Sequence, residues 1–190
     1  MYKQLVILLF NFIIHPERMW KKCGEEQDNG NENFLKSYLY PVFGLIALFS
    51  FAGILLYLKK WNVQIAIIQV IKETIPYFAG YYIFVFILSG LSLDFFKVKL
   101  SQPVCERFTG YASAAIYATA MLHAFFPFFP YIQILSIYTF YIVRQGARHY
   151  LQIKEQHITK FTIFASILML LAPVIIHWAL SQIMQRTVII

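Results

Sequence analysis

LYPVFGLIALFSFAGILLYL, Leu39–Leu58, runs for 20 residues without one charge. A helix that crosses a hydrocarbon core about 30 Å thick needs about 20 mostly apolar residues. This stretch therefore reads as a transmembrane span, and the chain as an integral membrane protein. Working outward, Thr74–Leu93 is a second such block, closed by Asp94, and Gly110–Phe126 is a third, closed by Pro127. Phe161–Ile183 is a clear fifth. The fourth is short. Pro130–Val143 would rise about 21 Å as a helix, and extension to Arg148 brings it to about 28 Å. That length suffices if Arg144 and Arg148 reach back to the headgroups along their aliphatic stems. The alternative is a re-entrant hairpin turning at Pro127–Pro130.

Composition agrees. Apolar residues make up 59 % of the 190 and charged ones 13 %, against about 45–50 % and about 25 % in a soluble domain. The expected fold is all-α, with five transmembrane helices over 39–190 and a cytoplasmic N-terminal segment over 1–38. Within that segment Tyr2–Ile14 is apolar on most sides and too short to cross, which predicts a helix lying in the interface. No small-residue cleavage site follows it, so it is expected to stay in the mature protein. Pro16 and Glu17 suit the first turn of a second helix, by fixed φ and by a negative charge at the positive dipole end. Trp20 on that helix is expected to anchor it at the interface beside Lys21 and Lys22. Gln27–Asn33 reads as a polar linker, and Gln64–Ile71 as a short separate interfacial run.

The net charge of +7 forms no stripe of the kind that nucleic acid requires, and no nucleic-acid partner is expected. The basic residues flank the apolar blocks instead, where they meet anionic lipid headgroups. With five crossings, 12 of the 16 Lys and Arg fall on the N-terminal side and 4 on the other. Loops this short follow the positive-inside rule. The N-terminus is expected in the cytoplasm and the C-terminus outside, in a membrane of bacterial inner type. The two cysteines, Cys23 and Cys105, then share the reducing side.

No catalytic signature occurs, and neither a cofactor nor a metal site is expected. Gly110, Ala114 and Ala118 recur every four residues, a spacing that lets helices approach closely, within this chain or between two copies. Pro173 should kink the fifth span. Ionisable residues at membrane depth suggest function, and here they are His123 and His177, about 20 Å and 24 Å above the inner ends of their spans. Gln133 lies at a similar depth. The three could line one polar outer cavity, or each histidine could simply be satisfied by a tyrosine or carbonyl.

The order of several short motifs resembles bacterial members of the Yip-one domain (Ypt-interacting protein) family. They are Pro16-x-x-x-Trp20, then Phe34-Leu35…Tyr38-Leu39-Tyr40-Pro41…Gly44-Leu45 and Arg107-Phe108…Gly110-Tyr111. Phe126-Pro127, Tyr138-Thr139-x-Tyr141-Ile142-Val143-x-x-Gly146 and Pro173 continue the series over nearly the whole chain. The resemblance implies five spans, a cytoplasmic N-terminus and the role of a membrane scaffold or adaptor, with no catalytic residue to carry over. It leaves open whether the partner is another membrane protein or a second copy. The rival expectation is a small transporter or oligomeric channel subunit.

Overall fold

A computed structural model of the chain describes residues 2–25, 34–57, 63–96, 100–126 and 129–188. All elements in these residues are helices. They are α1 (Tyr2–Ile14), α2 (Pro16–Glu25), a π-turn (Leu35–Leu39) leading into α3 (Tyr40–Tyr57), α4 (Val63–Phe96), α5 (Gln102–Ala112) and α6 (Ala114–Phe125). A 3-10 segment (Pro130–Tyr138), α7 (Thr139–His149) and α8 (Glu155–Val188) follow. The expected linker Gln27–Asn33 lies outside the described residues, as do Lys59, Lys60, Lys97 and Lys99.

Three stretches of uninterrupted helix are long and apolar enough to cross a membrane: Leu35–Leu56, Val63–Gly90 and Glu155–Ile183. The other two expected spans are interrupted. Between α5 and α6 only Ser113 leaves helical geometry, at ψ 5°. Ser113 N–H still donates to the Thr109 carbonyl, and its own carbonyl accepts from Tyr117 N–H, so the ladder continues across the break. The segment before α7 is wound as 3-10 helix, which rises about 2.0 Å per residue instead of 1.5 Å. This stretching makes Pro130–His149 about 34 Å long, longer than the same residues would be as α-helix.

Two boundaries need correction. Gln64–Ile71 is no separate interfacial run: α4 begins at Val63 and continues unbroken through Thr74, where the span was expected to start. The helix carries through the polar step Lys72-Glu73-Thr74 and through Pro76, a helix breaker by rule. Trp20 is not an interfacial anchor either, but the centre of the core on the α2 side, with no exposed surface. Its indole N–H donates to the Ile142 carbonyl at 3.0 Å. Phe12, Phe108, Tyr111 and Tyr150 surround it at ring-centroid distances of 5.2, 5.4, 6.2 and 5.3 Å. The cause is room: at Gly146 of α7 a Cβ would come within 2.8 Å of the indole, so only glycine leaves the ring its slot.

α1 is part of the same body. It buries Leu5, Leu9 and Phe12. Phe12, near its C-terminal end, stacks on Tyr111 at 4.3 Å. Leu5 and Leu9 share the wall of an apolar groove of about 470 Å³ with Ala118 and Leu122 of α6. α1 therefore runs antiparallel to α6, from its last turn beside α5 toward the far end of α6.

Candidate functional site

Four elements, α4, α6, the 3-10 segment and α8, each place a pair of polar or special residues one turn apart on a common face. On α4 these are Gln69 and Glu73, four apart, and the Gln69 amide donates to Glu73 Oε1 at 2.9 Å. On α6 they are Thr119 and His123 at the same helical spacing. The 3-10 segment contributes Gln133 and Ser136, which superpose because this helix repeats every three residues. Pro173 and His177 do the same on α8. Apart from Gln69, these residues line one cavity of about 430 Å³ between α4, α6, the 3-10 segment and α8.

Hydrogen bonding inside this cavity is incomplete. Thr119 Oγ1 lies 2.9 Å from the Ile116 carbonyl and 2.7 Å from Ser136 Oγ. A hydroxyl carries one proton; with Thr119 donating to the backbone, Ser136 donates to Thr119. His177 Nε2 stands 3.9 Å from Glu73 Oε1, too far for a hydrogen bond. His123 Nδ1 is buried with no protein partner. Such an unmet group costs about 1–3 kcal/mol unless something enters to satisfy it. Among the described residues no lysine or arginine lines the cavity, and Glu73 is its one acid.

A second polar surface lies on α2. Its apolar side, Pro16 and Trp20, is buried, and Glu17, Arg18, Lys21, Lys22 and Glu25 are exposed. Glu17 Oε1 accepts from Lys21 Nζ at 2.6 Å, and that bond, reinforced by the lysine's charge, lowers the Glu17 pKa. His149 at the end of α7 faces the same carboxylate at 3.9 Å. Burial lowers the His149 pKa, Lys21 lowers it further, and the opposing pull of Glu17 does not reverse this. Both shifts mean that the folded chain holds these protons less readily than the unfolded chain, so the linked stability is lost as pH falls. The apparent Tm in detergent should drop between about pH 7 and pH 5, and the slope should shrink in His149→Gln. An unchanged slope would exclude His149 as its source.

No family model, no curated protein and no solved structure matches the chain.

His123, Gln133 and His177, singled out in the sequence, stand on the wall of one cavity, and Pro173 stands beside them. α8 runs through Pro173 as continuous helix, and the proline ring packs at 3.2 Å from where a Cβ on Gly80 would be. Gly110 packs inside the chain, where a Cβ would come within 2.5 Å of the Phe34 ring. Ala114 is fully buried, and Ala118 faces α1 across the apolar groove. Arg144 is exposed, and Arg148 pairs with Glu155 at 2.8 Å. Among the described residues no group of three or more His, Cys, Asp and Glu side chains could hold a metal ion.

Glu73 was missed in the sequence. Next to Lys72, and one residue before the expected span, it reads as an outer-surface charge. The signal that could have revealed it is the absence of any glycine or proline between Val63 and Glu73, which lets one helix begin ten residues before it. Thr119 and Ser136 were missed because hydroxyl residues are common in membrane helices, and only their 2.7 Å approach across two elements distinguishes them.

Proposed function

We propose that this chain is a non-enzymatic membrane scaffold with five crossings, which presents α2 as a cationic helix fixed to the cytoplasmic base of the bundle. The observation that carries the reading is the seating of α2: Trp20 is bolted into the core, while Arg18, Lys21 and Lys22 on the opposite side stay exposed. A helix that only adsorbs to lipid buries its apolar face in the bilayer. This one has buried it in protein, which leaves a rigid, oriented charged surface on which three cations, Arg18, Lys21 and Lys22, stand against two acids, Glu17 and Glu25, a surface suited to anionic headgroups and to an acidic partner. The resemblance to the Yip-one domain family supports the same role and the same orientation.

Five crossings accommodate the two interrupted segments, since α5 with α6, and the 3-10 segment with α7, each exceed the bilayer core of about 30 Å. In this placement the last turn of α1 lies at the cytoplasmic side beside α5, and its first turn, with Lys3, reaches part-way across the bilayer, about 20 Å away. A cytoplasm-dependent reporter fused after Gln27 should be active, and one fused after Ile190 silent. Activity at both sites would mean an even number of crossings and would reject this topology.

Gentle extraction followed by mass measurement of the intact complex tests the scaffold role. The expected result is a second protein chain, another membrane protein or a further copy, which is lost in Arg18→Glu/Lys22→Glu while the Tm is kept. A lone chain carrying only lipid or a small molecule would overturn the reading. It would favour the rival one, a small transporter or channel subunit, which the polar cavity supports.

A further inference from the structure

We infer that the cavity between α4, α6, the 3-10 segment and α8 binds a primary ammonium group attached to an apolar body, with Glu73 as its counter-charge. Nothing in the scaffold reading uses this cavity, and the inference stands apart from it.

The polarity of the ligand follows from what the wall offers. Among the described residues Glu73 is the only acid lining the cavity and no lysine or arginine lines it, while the His177 imidazole stands 3.9 Å from the carboxylate. Gln69 occupies one of its lone pairs, whereas a carboxylate has about four acceptor sites. A negative charge at membrane depth with acceptor capacity to spare selects a cation, and the selection strengthens as the local dielectric falls.

The hydrogen-bond pattern narrows the cation. Gln133, on the facing wall of the cavity, offers its amide oxygen as a second acceptor. The His177 imidazole stands off the carboxylate at 3.9 Å, leaving the edge of Glu73 accessible. A primary ammonium has three donors, enough for the carboxylate, for the Gln133 amide oxygen and for one further acceptor. A metal ion is the poorer candidate, because no three ligating side chains come together among the described residues.

The rest of the wall sets the body of the ligand. Ile116, Leu170, Leu171 and Val174 form its apolar side, with the Tyr77 ring next to them. A volume of about 430 Å³ lies within the range of about 300–1,000 Å³ of small-molecule pockets. The ammonium could belong to a free amphiphilic amine or to the headgroup of an aminophospholipid. The chemistry at Glu73 is the same.

The test uses the full chain in phosphatidylcholine nanodiscs. Glu73 is esterified with an apolar diazo reagent, a reaction that releases dinitrogen and forms no activated acyl group for an amine to intercept, and its peptide is quantified by mass spectrometry, with 4-phenylbutylamine and 4-phenylbutanol as competing probes. At ten times its dissociation constant the amine leaves about a tenth of the sites free, so labelling should slow about tenfold. The alcohol, equal in apolar body but without charge, should leave labelling unchanged. The amine should also raise the Tm of the wild type and lose that effect in Glu73→Gln. Slowing by phosphatidylethanolamine discs without added amine would assign the ammonium to lipid, and slowing by the free amine alone would assign it to a soluble ligand. Equal protection by amine and alcohol, or protection by neither, overturns the inference on the wild type, however Glu73→Gln folds. Any of these failures leaves the scaffold reading intact, because that reading is decided by the mass of the complex.

Discussion

Trp20→Ala is expected to abolish most of the folded yield. The residue has no exposed surface, and truncating a buried tryptophan costs about 3–5 kcal/mol. That is much of the roughly 5–15 kcal/mol by which a domain is stable. Four aromatic rings lose their common neighbour at once, and the cavity lies where α1, α2, α5 and α7 meet, so no single side chain can collapse into it. Trp20→Phe keeps most of the packing and removes only the bond to the Ile142 carbonyl, a loss of about 1 kcal/mol. The order Trp20→Ala far below Trp20→Phe, itself slightly below wild type, should appear in thermal unfolding in mild detergent. Equal Tm values for Trp20→Ala and wild type would return Trp20 to the lipid interface, and with it the seated α2 on which the scaffold proposal depends.

Gly53→Ala is expected to be nearly as damaging, although it adds a single methyl group. A Cβ at this position would overlap the carbonyl oxygen of Ala124 and stand 3.2 Å from the Phe125 Cα. These are backbone atoms of α6, which no rotamer change can move aside. α3 and α6 must separate along their contact, at a cost of about 3 kcal/mol, the upper range for overpacking. The comparison that isolates this effect lies nine residues earlier on the same helix. At Gly44 an added Cβ meets nothing within 4 Å, so Gly44→Ala should gain about 0.5–1 kcal/mol from reduced backbone freedom. Opposite signs in the two Tm shifts are the expected result. Similar shifts would mean that α3 and α6 do not touch at Gly53.

Both sites show what could be read from the sequence and what could not. The helix starts at Tyr2 and Pro16 were visible because an apolar run and an N1 proline are local signals, and so was the apolar block that becomes α3. The role of Trp20 was hidden, because an indole suits a membrane interface and a protein core equally well. Only a partner 122 residues away decides between them. Gly53 was hidden likewise: a glycine in an apolar helix gives no sign of what faces it, and attention went to Gly110, whose regular spacing with Ala114 and Ala118 is visible in one dimension. In the cavity, His123, Gln133 and His177 were legible from depth along separate spans, since rise per residue is fixed. Glu73 was not, because its depth depends on where α4 starts. Nor does the sequence announce the 3-10 winding of Pro130–Tyr138, which follows from how far that segment must reach.

The bond from Trp20 to Ile142 also has a bearing on how the protein is made. The slot for the indole is built from Phe108, Tyr111, Gly146 and Tyr150, all of which leave the ribosome long after Trp20 itself. At about 5–20 residues per second, the 122 residues between donor and acceptor take roughly 6–24 s to synthesise. Throughout that interval α2 lacks its seat on α7, although Tyr111, Ala118 and Leu122, which receive α1, leave the ribosome earlier. α2 thus acts as a latch that closes only once α7 has been made.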